Sequence, residues 1–155
     1  MSGFRRSVSL SLVLVFLLFT VLCGAALALN VQEQTLVNLV NEDRARYGLR
    51  ALTVDPSLCE AARIKAQDML QNGYFAHVSP TYGNIRQMLA SMGIRFAGAS
   101  ENIARCRNVY HAEASFLSSS TGHRQTLLGS QWTKIGVGVA VTPAGFVYVS
   151  QIFAR

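Results

Sequence analysis

Two histidines and one glutamate carry the chemistry legible in this chain. His77 lies in Tyr74-Phe75-Ala76-His77-Val78-Ser79-Pro80, Glu101 in Glu101-Asn102-Ile103-Ala104, and His123 in Ser119-Ser120-Thr121-Gly122-His123-Arg124. Neutral imidazoles are ligands for zinc and similar divalent ions, and a carboxylate beside one of them can fix its tautomer or activate a bound water. The three are too far apart in sequence to share a helix, so the fold must gather them. His77 and His123 are the candidate metal ligands, Glu101 the candidate orienting acid, and Ser119 a further candidate for the cleft. The competing reading is a hydrogen-bonded polar cluster that ties loops to helices. His111, outside these signatures, is expected to be exposed or structural, and Asn102 to serve backbone hydrogen bonds.

A hydrolase is the alternative from another class. Ser79 stands two residues from His77, and Ser118, Ser119 and Ser120 just precede His123, so a Ser-His-Glu set can be drawn. Nothing marks one serine as the nucleophile: there is no Gly-x-Ser-x-Gly elbow and no His-Glu-x-x-His helix. Cys106 could serve as a thiol nucleophile if it stayed reduced.

The elements that must position these groups fit one domain, since 155 residues leave no room for two once a leader is removed. Arg5 and Arg6, an apolar run from Val8 to Cys23 and the ending Ala26-Leu27-Ala28 have the layout of a secretory signal peptide over residues 1–28. A retained membrane anchor is the alternative, and a membrane enters only in that case. The formal charge of +6 falls to +4 without Arg5 and Arg6. The arginines are dispersed without aromatic interleaving, so no nucleic-acid footprint is present. Export leaves Cys59 and Cys106 as the remaining pair, and an oxidising compartment favours a disulfide between them over two buried thiols.

From residue 31 the pattern is helical, with Leu36, Leu39, Val40 and Tyr47 on one side and Gln34, Asn38, Glu42 and Arg46 on the other, until Gly48. A second helix starts at Asp55-Pro56, with Asp55 as its N-cap, buries Cys59, Ala62, Ala66, Met69 and Leu70, and stops at Gly73. His77 falls in the loop that follows. Ile85–Met92 is a short helix, Ser100–Arg107 an extended segment, and Val109–Leu117 a helix that ends before His123. Ile135, Val137, Val139 and Val141 alternate with Gly136, Gly138 and Ala140, a strand with one bulky and one bare face against which something must pack closely. A turn at Thr142-Pro143-Ala144-Gly145 joins it to Phe146–Phe153 as an antiparallel hairpin, and helices first with strands last predict an α+β fold.

Asn41-x-x-Arg44, Gly48-Leu49, Leu52, His77-x-Ser79-Pro80, Glu101-Asn102-Ile103-Ala104, Ser119-x-x-Gly122-His123-Arg124, Ile135-Gly136-Val137-Gly138 and Gln151-x-Phe153 occur in the order seen in the CAP superfamily. The chain resembles a bacterial CAP domain of the SCP-like, YkwD-like kind over residues 33–155. That resemblance implies a three-layer α-β-α sandwich, secretion to the cell surface or beyond, and a cleft lined by His77, His123 and Glu101. In some members of the family such a cleft binds zinc or another divalent cation. The second glutamate of many eukaryotic members does not transfer: the matching stretch is Phe116-Leu117-Ser118-Ser119, and Glu113 lies too early. The expectation is a non-enzymatic binding module for a cell-envelope component, peptide or lipid. The alternatives are a peptidase or cell-wall hydrolase in the same cleft and a structural protein of the cell surface or spore coat.

Overall fold

The computed structural model describes residues 28–155; the leader expected over residues 1–28 lies outside the described residues except for its last, Ala28. Residues 31–155 form one compact unit. Its elements are α1 (Val31–Arg46), β1 (Thr53–Val54), α2 (Pro56–Gln71), α3 (Ile85–Ser91), β2 (Ala99–Cys106), α4 (Val109–Ser118), α5 (His123–Leu127), β3 (Lys134–Val141) and β4 (Val147–Ala154). No helix among the described residues is long and apolar enough to cross a membrane.

The predicted hairpin is the centre of the sheet, whose strand order is β1-β3-β4-β2. β3 and β4 pair antiparallel, β2 adds antiparallel to β4 with Glu101 opposite Ile152 and Asn102 opposite Gln151, and β1 adds parallel to β3. Because side chains alternate along a strand, Gly136, Gly138, Ala140, Tyr148, Ser150, Ile152, Glu101 and Ile103 share one face. Ile135, Val137, Val149, Gln151, Phe153 and Asn102 share the other. α2 covers the first face and is anchored by the foreseen cap, with Asp55 Oδ1 accepting from the N–H groups of Ser57 (3.0 Å) and Leu58 (3.3 Å). The bare stripe lets it come close: a Cβ on Gly136 would sit 2.1 Å from the Leu58 carbonyl carbon, and one on Gly138 2.2 Å from that of Ala62. α1, α4 and α5 form the third layer, giving the helix-sheet-helix sandwich.

Two expectations need correction. α1 does bury Leu36 and Val40, but with Glu33, Val37, Asp43 and Arg44 rather than Tyr47, which lies beyond the helix and is 47 % exposed. The cause is polar satisfaction. The buried Arg44 guanidinium donates to the carbonyls of Arg50 (3.1 Å), Leu127 (2.8 Å) and Gly129 (3.0 Å), while Asn41 exchanges bonds with the main chain of Leu52. Tyr47 instead takes the Arg124 guanidinium on its ring at 5.0 Å.

The second correction concerns the expected disulfide, because Cys59 and Cys106 are both free thiols. Cys59 packs against the Val137 main-chain N–H of β3, whereas Cys106 ends β2, where its thiol donates to the Asn108 carbonyl at 3.2 Å. Cys106 is level with Val141, so it lies two strand spacings across and four residues along from Val137, where Cys59 of α2 docks, which sets the two thiols roughly 16 Å apart. A disulfide needs Cα atoms within about 7 Å.

Candidate functional site

The loop that carries His77 is organised from below by α2. The buried Lys65 ammonium donates to the Tyr74 hydroxyl (3.2 Å) and to the carbonyls of Ala76 (2.8 Å) and His77 (3.0 Å). One turn on, Asp68 accepts from Ser79 Oγ (2.6 Å), Asn72 Nδ2 (2.7 Å), Thr81 Oγ1 (3.1 Å) and the Tyr74 hydroxyl. Burial works to raise the Asp68 pKa, but these hydrogen bonds prevail and hold it below the usual carboxylate range. Burial and then Asp68 push the Tyr74 hydroxyl up to about 12. Burial also lowers the Lys65 pKa, opposed by the charges of Glu101 and Asp68.

Glu101 stands on β2 with its side chain 2 % exposed. Its Oε2 lies 3.1 Å from His77 Nδ1 and its Oε1 accepts from Ser150 Oγ at 3.1 Å. The carboxylate thus braces one ring nitrogen of His77 and leaves Nε2 toward the cleft. His123 is the first residue of α5. Asn102 Nδ2 holds its carbonyl at 3.1 Å, Ser119 Oγ lies 3.3 Å from its Nδ1, and its ring sits 5.5 Å from that of Phe116. Burial, and then the neighbouring His77, lower its pKa, which favours the neutral imidazole.

The two histidine rings are 6.3 Å apart, centroid to centroid. They face a cavity of about 270 Å³ lined also by Glu101, Asn102, Thr121, Gly122 and Thr126. Glu101 and Asn102 point to opposite faces of the sheet, so a cavity that touches both straddles the edge strand β2. His77 reaches it from the α2 layer and His123 from the α4–α5 layer. The fold therefore gathers His77, Glu101 and His123, as the three signatures predict, while Ser119 stands behind His123. His111 is exposed and bonds Asn108.

No Ser-His-Glu set assembles: Ser119 pairs with His123, but Glu101 pairs with His77. Ser79 Oγ is occupied by Asp68 and the N–H groups of Thr81 and Tyr82, and burial pushes the Cys106 thiol up, away from reactive thiolate character. Among the described residues no three of His, Cys, Asp and Glu converge at metal-ligand spacing. The imidazoles that line the cavity are His77 and His123. A tetrahedral zinc with Zn–N bonds of about 2.1 Å would hold two ring centroids about 5 Å apart, closer than the 6.3 Å between these rings.

Sequence reasoning missed Lys65 and Asp68, which look like ordinary exposed helix residues until the loop folds onto them. It also set Glu113 aside. That residue is 2 % exposed, receives Gln151 Nε2 at 2.6 Å, and is pushed up to about 8 by burial, with Asp43 adding to the shift. It lies behind the cavity wall and not in it. Its only signal was Gln151, in the last quoted motif.

The model of the cysteine-rich secretory protein (CAP) family matches residues 37–153. The chain belongs to the CAP family. YkwD of Bacillus subtilis (strain 168) is 35 % identical over 132 residues, 85 % of this CAP chain and 51 % of the relative. The chain therefore spans about half the length of that relative. A crystal structure of an extracellular protein containing a SCP domain from Bacillus anthracis str. Ames is 34 % identical with a TM-score of 0.70, covering 80 % of this chain and 40 % of that one. An outer surface protein of Borrelia burgdorferi shares the fold at 19 % identity, with a TM-score of 0.73 over 82 % of this chain and 96 % of that one. This is a CAP-domain protein of bacterial type.

Proposed function

We propose that this CAP chain is an exported binding module at or outside the bacterial cell surface, whose cleft holds a divalent cation between His77 and His123 and, over it, part of a cell-envelope component, peptide or lipid. The observation that carries the reading is the approach of two imidazoles from different layers to one cavity, with His77 braced by Glu101. The names of the B. anthracis and B. burgdorferi structures support an extracellular or surface location. Bound between the rings, a cation would supply a Lewis acid for an anionic or carbonyl group of the ligand. Two protein ligands and one distant carboxylate make its affinity modest.

Zinc titration by calorimetry, with metal analysis of the purified protein, tests this directly. The parent binds one ion, and the H77A/H123A variant keeps its fold and loses binding. Equal binding by the variant overturns the site; unfolding of the variant gives the histidines to the structural reading. The hydrolase reading is favoured by one observation, the Glu101–His77 pair, which is a competent general-base arrangement. Turnover of peptide or cell-wall substrates, abolished by E101Q, would establish it over the binding module.

A further inference from the structure

The two edges of the sheet are finished differently. On the β3 side the outward main chain is occupied: the Asp55 N–H donates to the Ile135 carbonyl at 2.9 Å, the Thr53 N–H to the Thr133 carbonyl at 3.0 Å, and Cys59 lies on the Val137 N–H. On the β2 side, Gly98 and Arg155 exchange both main-chain bonds. That exchange fixes the phase of the ladder, because hydrogen-bonded pairs alternate along an antiparallel pair. Ser100, Asn102 and Ala104 therefore face β4, and the N–H and C=O groups of Glu101, Ile103 and Arg105 face outward. No hydrogen bond among the described residues reaches those outward groups.

The edge also opens where the site is. The cavity touches residues from both sheet faces at Glu101 and Asn102, so it lies over the outward main chain of β2. Glu101 is 7 % exposed overall with its side chain only 2 % exposed, which assigns most of its open surface to backbone. Asn102, wholly buried and lining the same cavity, has an amide oxygen without a partner. A row of alternating donors and acceptors at strand spacing is matched by another extended main chain, the basis of recognition by strand addition.

We propose that β2 is a docking edge for an extended peptide, which adds as a fifth strand on the outward main chain of Glu101, Ile103 and Arg105 and passes over the paired histidines. The edge from Ala99 to Arg105 accommodates about seven residues at roughly 3.4 Å each. This deepens the binding-module reading by naming the ligand as polypeptide. The main chain supplies affinity, and the cavity selects the one side chain that meets His77 and His123. Arg105 is exposed on the same strand, and its guanidinium lies 5.4 Å over the Tyr148 ring of β4, leaving its main chain at the edge unobstructed by its own side chain.

The test selects binders to the full chain from a short-peptide display library and measures their affinity for the parent, R105A and R105P. Proline is tolerated where an edge N–H faces solvent, so R105P removes one outward donor and leaves the β4 ladder intact, whereas R105A keeps the donor and, like R105P, removes the charge and its contact with the Tyr148 ring. Selected peptides should bind R105A within about twofold of the parent and R105P roughly tenfold or more weaker, the loss expected when a carbonyl is left without its donor. Hydrogen exchange supplies a readout that needs no variant. In the free protein the amides of Glu101, Ile103 and Arg105 exchange faster than those of Asn102 and Ala104, and the peptide slows the first set. H77A/H123A should retain the protection at Ile103 and Arg105 even as it loses zinc, which separates this proposal from the cation site. Failure to enrich any peptide, equal binding by R105P and R105A, or protection elsewhere overturns it. So does concentration-dependent protection of the same amides without peptide, which would make a second copy of the chain the occupant.

Discussion

Replacing Glu113 by glutamine should make the protein more stable at alkaline pH and leave it nearly unchanged at acid pH. Glu113 is buried between α4 and the sheet, with Oε2 taken by Gln151 and with Glu113 Oε1, Gln151 Oε1 and Asn102 Oδ1 all lacking partners among the described residues. A proton on Oε1 turns one of three orphan acceptors into a donor, and burial pushes the carboxyl up to about 8 from an ordinary 4.5. The folded state thus binds one more proton than the unfolded state between these two values. Stability falls as pH rises through that window, by about 1.4 kcal/mol per unit and by at most about 5 kcal/mol across it. The contribution is complete below the unfolded value and gone above the folded one. Glutamine has the shape of the protonated acid and keeps a donor at every pH. Urea unfolding at pH 5 and pH 8.5 measures the difference, and E113Q should gain at least about 2 kcal/mol over the parent between the two. If the gap between variant and parent is the same at both, the buried acid is not protonated at neutral pH and the reasoning fails.

G138A should destabilise by about 3 kcal/mol or more in chemical unfolding, since its Cβ would meet α2 backbone at 2.2 Å. G145A, with open space around it and only a positive φ of 82° to contend with, should lose about 1 kcal/mol. K65M releases the Ala76 and His77 carbonyls and should weaken zinc binding more than it lowers the melting temperature; unchanged affinity would show that the loop holds His77 without it. Zinc binding should weaken as pH falls, because protonating either imidazole removes a ligand, and protonation of His123, which burial keeps neutral, should not be the sole cause of that loss; binding that is independent of pH would refute ligation by imidazole. Intact mass and thiol titration of the denatured protein should find Cys59 and Cys106 unlinked, and a mass two hydrogens short would contradict the fold.

The elements that read clearly in the sequence are those whose pattern and packing agree. The Asp55-Pro56 start of α2 and the bare glycine face of β3 are local signals of one contact, and α2 lies on that face. The convergence of His77, Glu101 and His123 was legible only through the ordered motifs, because no periodicity links three separate loops and strands. β1 is too short to register as a strand. α5 has five residues and no side-chain cap at Gly122, and Arg124 bonds back to the Leu117 carbonyl at 3.2 Å, so tertiary contacts, not propensity, support it. Arg44, Lys65 and Glu113 were invisible as interior groups, since charged residues are read as surface until the carbonyls and amides that satisfy them are known. The disulfide failed for a related reason. Counting cysteines gives parity but not position, and the fold puts Cys59 on α2 beside β3 and Cys106 at the end of β2, with β4 between those strands.

The histidines arrive from different layers: His77 on a loop tied to α2, His123 on α5 beyond the other face of the sheet. Any ligand that touches both rings is a clasp across the free end of the sandwich. At the opposite edge, β1 and the Arg63–Glu33 ion pair already join the layers, with Arg63 on α2 and Glu33 on α1. Filling the cleft would close the second side, so occupancy should register in the whole domain and not in the loops alone. The expected stabilisation is RT ln(1 + [L]/Kd), about 2.7 kcal/mol at a hundredfold excess over Kd. A thermal shift screen of envelope fragments and peptides would read such a clasp with no knowledge of what the ligand is.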